Sequence, residues 1–226
     1  MRVLISSRIA FLLVVLVSCS ELDEDTMELQ LEYQPLQIGS FWEYHVEETM
    51  YFGESDLETS HYFYRDEITS DYRNDEGERV FFCQRWKSSD QQTWQQEKTF
   101  TYRISRGALL KTMDNQTFVS FVFPPVNDKS WNGNNYNSLQ EDFYSMNLME
   151  KYILGNWEFK SAAKVVQNEE DDLITFRDNR YEVFVKGVGL VESYYEVLTY
   201  CSRIDCLSQQ IIDSGRFAHL KLINNG

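Results

Sequence analysis

Long stretches of this chain alternate apolar and polar side chains with a period of two. In FWEYHVEE, Trp42, Tyr44 and Val46 fall on one face and Glu43, His45 and Glu47 on the other. Successive side chains of an extended strand point to opposite sides, so the pattern describes a strand with one face buried and one solvated. It recurs in SHYFYRDEI, RVFFCQRWKS and TWQQEKTFTYRIS, with NDEGE as the turn after the first and Gly107 closing the last. Asn, Asp and Gly supply the tight backbone geometry a turn needs. ALLKTMDNQTFVSFVFPP predicts a hairpin turning at Asp114–Asn115 and stopped by Pro124 and Pro125. Residues 127–141, NDKSWNGNNYNSLQE, read as a polar loop holding one tryptophan. DFYSMNLMEKYIL fits either a strand or a short helix. Residues 156–200 predict two or three long strands, with the acidic run Glu169–Asp172 turning between the first two, and FAHLKLI predicts a last strand. The aromatic and β-branched load supports strands throughout. The expected fold is all-β with at most a minor helix: a single antiparallel meander of about seven to ten strands, forming a curved sheet or half-barrel.

The N-terminus reads differently. Arg2 and Arg8 flank a start without acids, and IAFLLVVLV follows. At about 1.5 Å per residue that run would span about 14 Å as a helix, half of a bilayer core. A basic start, a short apolar run and small residues describe a secretory signal. Leu16-Val17-Ser18-Cys19 resembles the bacterial lipobox. That resemblance implies diacylglycerol on the Cys19 thiol, cleavage before Cys19 and acylation of the new amine. Each buried CH₂ contributes about 0.8 kcal/mol, so several chains anchor firmly where one does not. The expected division is a lipoprotein signal peptide over 1–18, a lipidated acidic tether over 19–32 and a single β-rich domain over 33–226. Ser20, rather than aspartate, follows the cysteine, and the resemblance then implies the outer membrane over the inner one. The cluster Glu21, Asp23, Glu24 and Asp25 is similar to the surface-export signal of Bacteroidota lipoproteins, and it reads equally well as a solvated linker.

A formal net charge of −15 repels phosphate backbones, so nucleic acid is not an expected partner, and electrostatics would not hold the chain to an anionic membrane. With 15 Phe, 14 Tyr and 5 Trp, the composition is that of a chain with a core, not a disordered one. CSRIDC leaves room for a turn, which makes Cys201 and Cys206 a candidate disulfide in an oxidising compartment. Cys83, inside RVFFCQRW, reads as a buried free thiol on a strand. His45, His61 and His219 stand at no ligand spacing from a cysteine, so neither metal nor cofactor is expected.

Three segments together are similar to a group of small Bacteroidota cell-envelope lipoproteins. They are YQPLQIGSFWEYHVEE, with Pro35, Leu36, Gly39, Trp42 and Tyr44; FPPVNDKSWNGNNYN, with Phe123, Pro124, Trp131, Gly133 and Asn134; and RYEVFVKGVGLVESYYE, with Tyr181, Glu182, Val183, Gly187, Gly189, Leu190 and Val191. The match covers most of residues 33–200 and leaves CSRIDC outside it. The resemblance implies an envelope location and a β-rich fold, and it brings no activity.

Catalytic patterns are sparse. SAAK, Ser161–Lys164, has the Ser-x-x-Lys spacing of penicillin-recognising enzymes but lies in a predicted strand without the companion motifs. GVG at 187–189 precedes a strand, not a helix, so its glycines read as a bend. NDEGE lacks the register of a calcium loop. Carboxylates are numerous, yet none pairs off as a glycosidase requires. Trp131 carries two readings. Flanked by Asn132 and Asn134, it can stack on a sugar with amides reading hydroxyls, or fold back to plug the open end of a sheet. Trp42, Trp86 and Trp157 are expected in the core, and Trp94 on either side. The sequence thus points to a lipid-anchored, non-catalytic binding or accessory module for a glycan, lipid or envelope protein. A lipid or lipoprotein carrier with an apolar cavity in a curved sheet and a surface hydrolase on glycan or peptide are the alternatives.

Overall fold

The structure, a computed structural model, describes residues 28–226; the expected signal peptide, Cys19 and most of the expected acidic tether lie outside the described residues. After a 3-10 turn, Leu31–Tyr33, twelve strands follow: β1 Phe41–Gly53, β2 Asp56–Arg73, β3 Arg79–Ser88, β4 Gln95–Ser105, β5 Ala108–Met113, β6 Gln116–Val122, β7 Ser130–Asn132, β8 Phe143–Leu154, β9 Trp157–Asp171, β10 Phe176–Val185, β11 Gly189–Tyr200 and β12 Ile212–Asn225. They form one antiparallel sheet ordered β6-β5-β4-β3-β2-β1-β12-β11-β10-β9-β8-β7. Two six-stranded meanders are thus joined where β1 pairs with β12, and the sheet curls until it is nearly closed into a barrel. The expected all-β curved sheet is present, with more strands than the sequence pattern suggested.

Three local expectations change. The strand-or-helix segment is β8. The acidic run Glu169–Asp171 continues β9, and the turn comes at residues 172–175. There Asp172 Oδ1 accepts the amides of Ile174, Thr175 and Phe176 at 2.8, 2.6 and 3.0 Å, so one carboxylate organises the turn. Trp157 is not core: it opens β9 with 38% of its surface exposed. Trp86 alternates with the buried Phe81, Cys83 and Arg85 and therefore faces outward, partly covered.

The alternation in β1 works as read, with Trp42, Tyr44 and Val46 at 3%, 2% and 0% exposure. Tyr62, Tyr64 and Ile68 from β2 pack with them, and Cys83, Phe100, Tyr102 and Phe121 build a second buried cluster. An ion pair sits among these rings. Arg85 Nε and Nη2 donate to the two oxygens of Asp66, both at 2.6 Å, with the guanidinium 4.4 Å above Tyr64. Burial opposes the charge on Arg85, but the Asp66 carboxylate outweighs it and holds the guanidinium protonated.

The two edge strands, β6 and β7, meet at a seam. The Val119 backbone amide donates to the Gly133 carbonyl at 2.8 Å, the Trp131 indole N–H to the Val119 carbonyl at 2.8 Å, and the Asn137 side-chain Nδ2 to the Thr117 carbonyl at 2.9 Å. An unpaired edge invites another chain, and these bonds occupy it. Gly133 has to be glycine because a Cβ there would run into the Tyr144 ring. Trp131→Phe removes the indole donor. It is expected to lower stability by about 0.5–1.5 kcal/mol in denaturant titration and to speed exchange of the Val119 amide. An unchanged Val119 exchange rate would contradict this account of the seam.

Candidate functional site

A barrel has open ends, and residues 28–40 cross one of them as a strap. Tyr33 stacks on Phe121 with ring centroids 5.6 Å apart, and Leu36 packs against both buried clusters. The strap's backbone is tied down at both ends. The Gly187 amide donates to the Glu32 carbonyl at 2.8 Å, the Gly39 amide to the Ile68 carbonyl at 2.8 Å, and the Ile68 amide to the Ser40 carbonyl at 2.9 Å. The turn between β10 and β11 is the other half of the lock. Trp42 Nε1 donates to the Val188 carbonyl at 2.6 Å and the Tyr44 hydroxyl to the Leu190 carbonyl at 3.0 Å. Gly189, at φ +100°, brings the turn so close that a Cβ would stand 3.1 Å from both Gln34 Oε1 and Trp42 Nε1. The first and third segments of the sequence resemblance therefore meet here.

Between strap and barrel lies a cavity of about 470 Å³, lined by Leu31, Glu32, Gln34, Pro35, Leu36, Arg79, Phe81, Ile104 and Gly187. Its walls are mainly aliphatic and aromatic, with Glu32 and Arg79 as charged groups. Arg79 is held by Asp71 through bonds of 2.7 and 3.0 Å and lies 4.7 Å above Phe81. Gln34 is 2% exposed, and its Oε1 is buried without a hydrogen-bond partner. A buried acceptor of this kind is costly unless something donates to it.

Charged groups lie deeper. Phe81 stands opposite Tyr102 and Tyr102 opposite Lys111, which places Lys111 on the same cross-strand row as a wall of the cavity. The Lys111 ammonium sits 4.9 Å from the Phe100 ring centre, and among the described residues no carboxylate approaches it within 4 Å. Burial lowers its pKa, with Glu182 opposing. Burial raises the pKa of Glu182, with Lys111 and Arg85 opposing. Burial likewise pushes up the Cys83 thiol, which leaves it protonated and unreactive.

The residues singled out in the sequence are placed elsewhere. Trp131 is partly buried in the seam, edge-on to Tyr144 at 6.1 Å, so its ring is not presented on an open loop. Asn132 Oδ1 accepts the amides of Asn134 and Asp142 at 2.9 and 3.1 Å, and Asn134 Nδ2 donates to the Gln140 carbonyl at 2.6 Å. These side chains shape the loop. Cys201 and Cys206 are disulfide-bonded with Cα atoms 5.9 Å apart, Cys83 is free and buried, and Cys19 lies outside the described residues. Facing carboxylates are bridged by arginines: Glu43 and Glu67 by Arg65, Asp171 and Glu196 by Arg177, Asp142 and Asp178 by Arg180. The strap cavity was not anticipated, since Leu31 and Glu32 were counted with the tether. The one signal was YQPLQ, a run with two apolar side chains and a proline before the first strand.

No protein-family model matches the chain, and no curated protein matches it. Two solved structures are similar in architecture. A Bacteroides fragilis protein named as exported, with a YmcC-like fold, is 11% identical at a TM-score of 0.40, over 85% of this chain and 98% of that one. A Parabacteroides distasonis protein named as a lipoprotein is 9% identical at a TM-score of 0.41, over 86% and 98%. At these values neither carries a function to this chain.

The partly buried Glu182 carboxyl makes a testable statement. A folded-state pKa raised above the unfolded value gives a stabilising contribution below the unfolded pKa that is lost as pH rises through the folded one. Glu182→Gln is therefore expected to match the parent chain in acid and to exceed it in stability at neutral pH, in denaturant titrations at both. A variant that is less stable at neutral pH would show that the ionised carboxylate is needed.

Proposed function

We propose that this chain is a lipid-anchored protein of the outer membrane or cell surface, acting as a non-catalytic module that binds a molecule with an apolar chain at the strap. The cavity carries the reading. Its volume falls in the range of small-molecule sites, about 300–1,000 Å³, and its apolar walls hold few polar groups. Each CH₂ moved from water onto Leu31, Leu36, Phe81 and Ile104 contributes about 0.8 kcal/mol. The Gln34 amide offers a hydrogen bond to a polar group on the ligand, and the Arg79 guanidinium stands at its side.

The reading of location is supported by the N-terminal sequence. Cys19 with its acyl chains is the anchor, and the tether runs from it directly into the strap. The binding cavity is thus walled by the segment leaving the membrane, where an acyl-bearing ligand is most concentrated. The non-catalytic reading is supported by two observations: arginines bridge the facing carboxylates, and the Cys83 thiol is kept protonated.

One pair of preparations tests this. The full-length chain is fractionated beside Cys19→Ala, and residues 20–226 are examined by native mass spectrometry after gentle purification. Loss of Cys19→Ala from the outer-membrane fraction, together with an added mass that extracts into organic solvent, is the expected result. A Cys19→Ala form that stays in the membrane overturns the anchor. A bare polypeptide mass, also after incubation with a phospholipid extract, overturns the ligand.

A further inference from the structure

A second cleft lies on the outer face of the sheet, and what it implies does not rest on the reading above. Its lining is Arg65 and Glu67 of β2, Trp86 of β3, and Trp94 in the connection to β4, around about 300 Å³. Arg65 stands opposite both Glu43 and Trp86 in the sheet register. It is immobilised: Nη1 donates to Glu43 at 2.8 Å, Nε to Glu67 at 3.2 Å, and the guanidinium lies 4.0 Å over the Phe41 ring. Of its five N–H donors, Nη2 keeps both of its own, and Glu67 keeps one oxygen outside that bond. The indole N–H groups of Trp86 and Trp94 have no acceptor among the described residues, in contrast to those of Trp42 and Trp131.

We infer that this cleft is a binding site for a neutral pyranose glycan. A pyranose ring has one face rich in C–H, which packs on an indole, and a rim of hydroxyls that each donate and accept. Two indoles beside a fixed guanidinium–carboxylate pair offer both halves of that chemistry, and the rigidity of Arg65 limits the entropy lost on binding. One cation against two carboxylates leaves the site net negative, on a chain of net charge −15. Uronates and sulfated sugars are therefore repelled, which restricts the class to neutral glycans.

The test is a tryptophan-fluorescence titration of the full chain in mild detergent with maltohexaose, cellohexaose, laminarihexaose, xylohexaose and mannohexaose. At least one is expected to give a saturable change. Trp86→Ala, Trp94→Ala and Arg65→Lys, the last keeping the charge while losing the planar fork, are each expected to weaken it by about tenfold or more. Trp157→Ala, at an exposed tryptophan elsewhere, is expected to leave it unchanged. If Trp86→Ala does not fold, Trp94→Ala and Arg65→Lys decide. No saturable response to any of the five sugars overturns the inference. So does unchanged affinity in Trp94→Ala and Arg65→Lys, or equal binding of hexagalacturonate.

Discussion

Twelve strands make a barrel too wide for ordinary side chains to fill. Eight leave an interior that side chains just occupy, and the diameter grows with strand number. The rest of this molecule answers that constraint. The inward positions are taken by large rings, including Trp42, Tyr44, Tyr62, Tyr64, Phe100 and Tyr102. An Asp66–Arg85 pair occupies space between them. The end that rings cannot close is crossed by the strap, whose Tyr33 and Leu36 reach into the two buried clusters. A cavity remains beneath the strap.

The interior's ionisable groups are held in two ways. Asp66 and Arg85 satisfy one another through two short hydrogen bonds, with a tyrosine ring over the guanidinium, so their desolvation is largely offset. Among the described residues Lys111 and Glu182 have no salt-bridge partner, and burial shifts each toward its neutral form. A chain selected only for stability would place apolar side chains at both positions. Lys111 shares a cross-strand row with a wall of the cavity, so this polarity lies close beneath the site.

Much of the fold was legible because a strand with one buried face has a period that survives in sequence. FWEYHVEE revealed β1 and its inner face, and Asp114–Asn115 the β5–β6 turn, where both residues adopt positive φ of 52° and 62°. Long-range choices leave no such trace. Nothing in the period says that β1 pairs with β12, or that β6 meets β7 at a seam. A residue's place in a strand does not by itself give its face: Trp86 and Trp157 were expected in the core and lie outside it. At 169–172 acidity suggested the turn, but only the end of that run makes it: Asp172 captures three amides and Asp171 the amide of Leu173. The site was the least legible part. The strap is recognised only by what it covers, and the Trp86–Trp94 cleft joins residues that the sequence assigned to different environments.

The functional segments nevertheless share a logic. Trp42 and Tyr44 bond to the turn at Gly187–Leu190, and that turn grips the strap, so the first strand, the strap and the β10–β11 connection form one lock around the cavity. The most direct test is methyl NMR of residues 20–226 with a fatty acid spin-labelled at the far end of its chain. The account predicts selective broadening of the Ile104, Leu31 and Leu36 methyls, reversed by an unlabelled competitor. Broadening at exposed apolar side chains such as Ile153 and Leu57, with Ile104 and Leu36 unaffected, would contradict it.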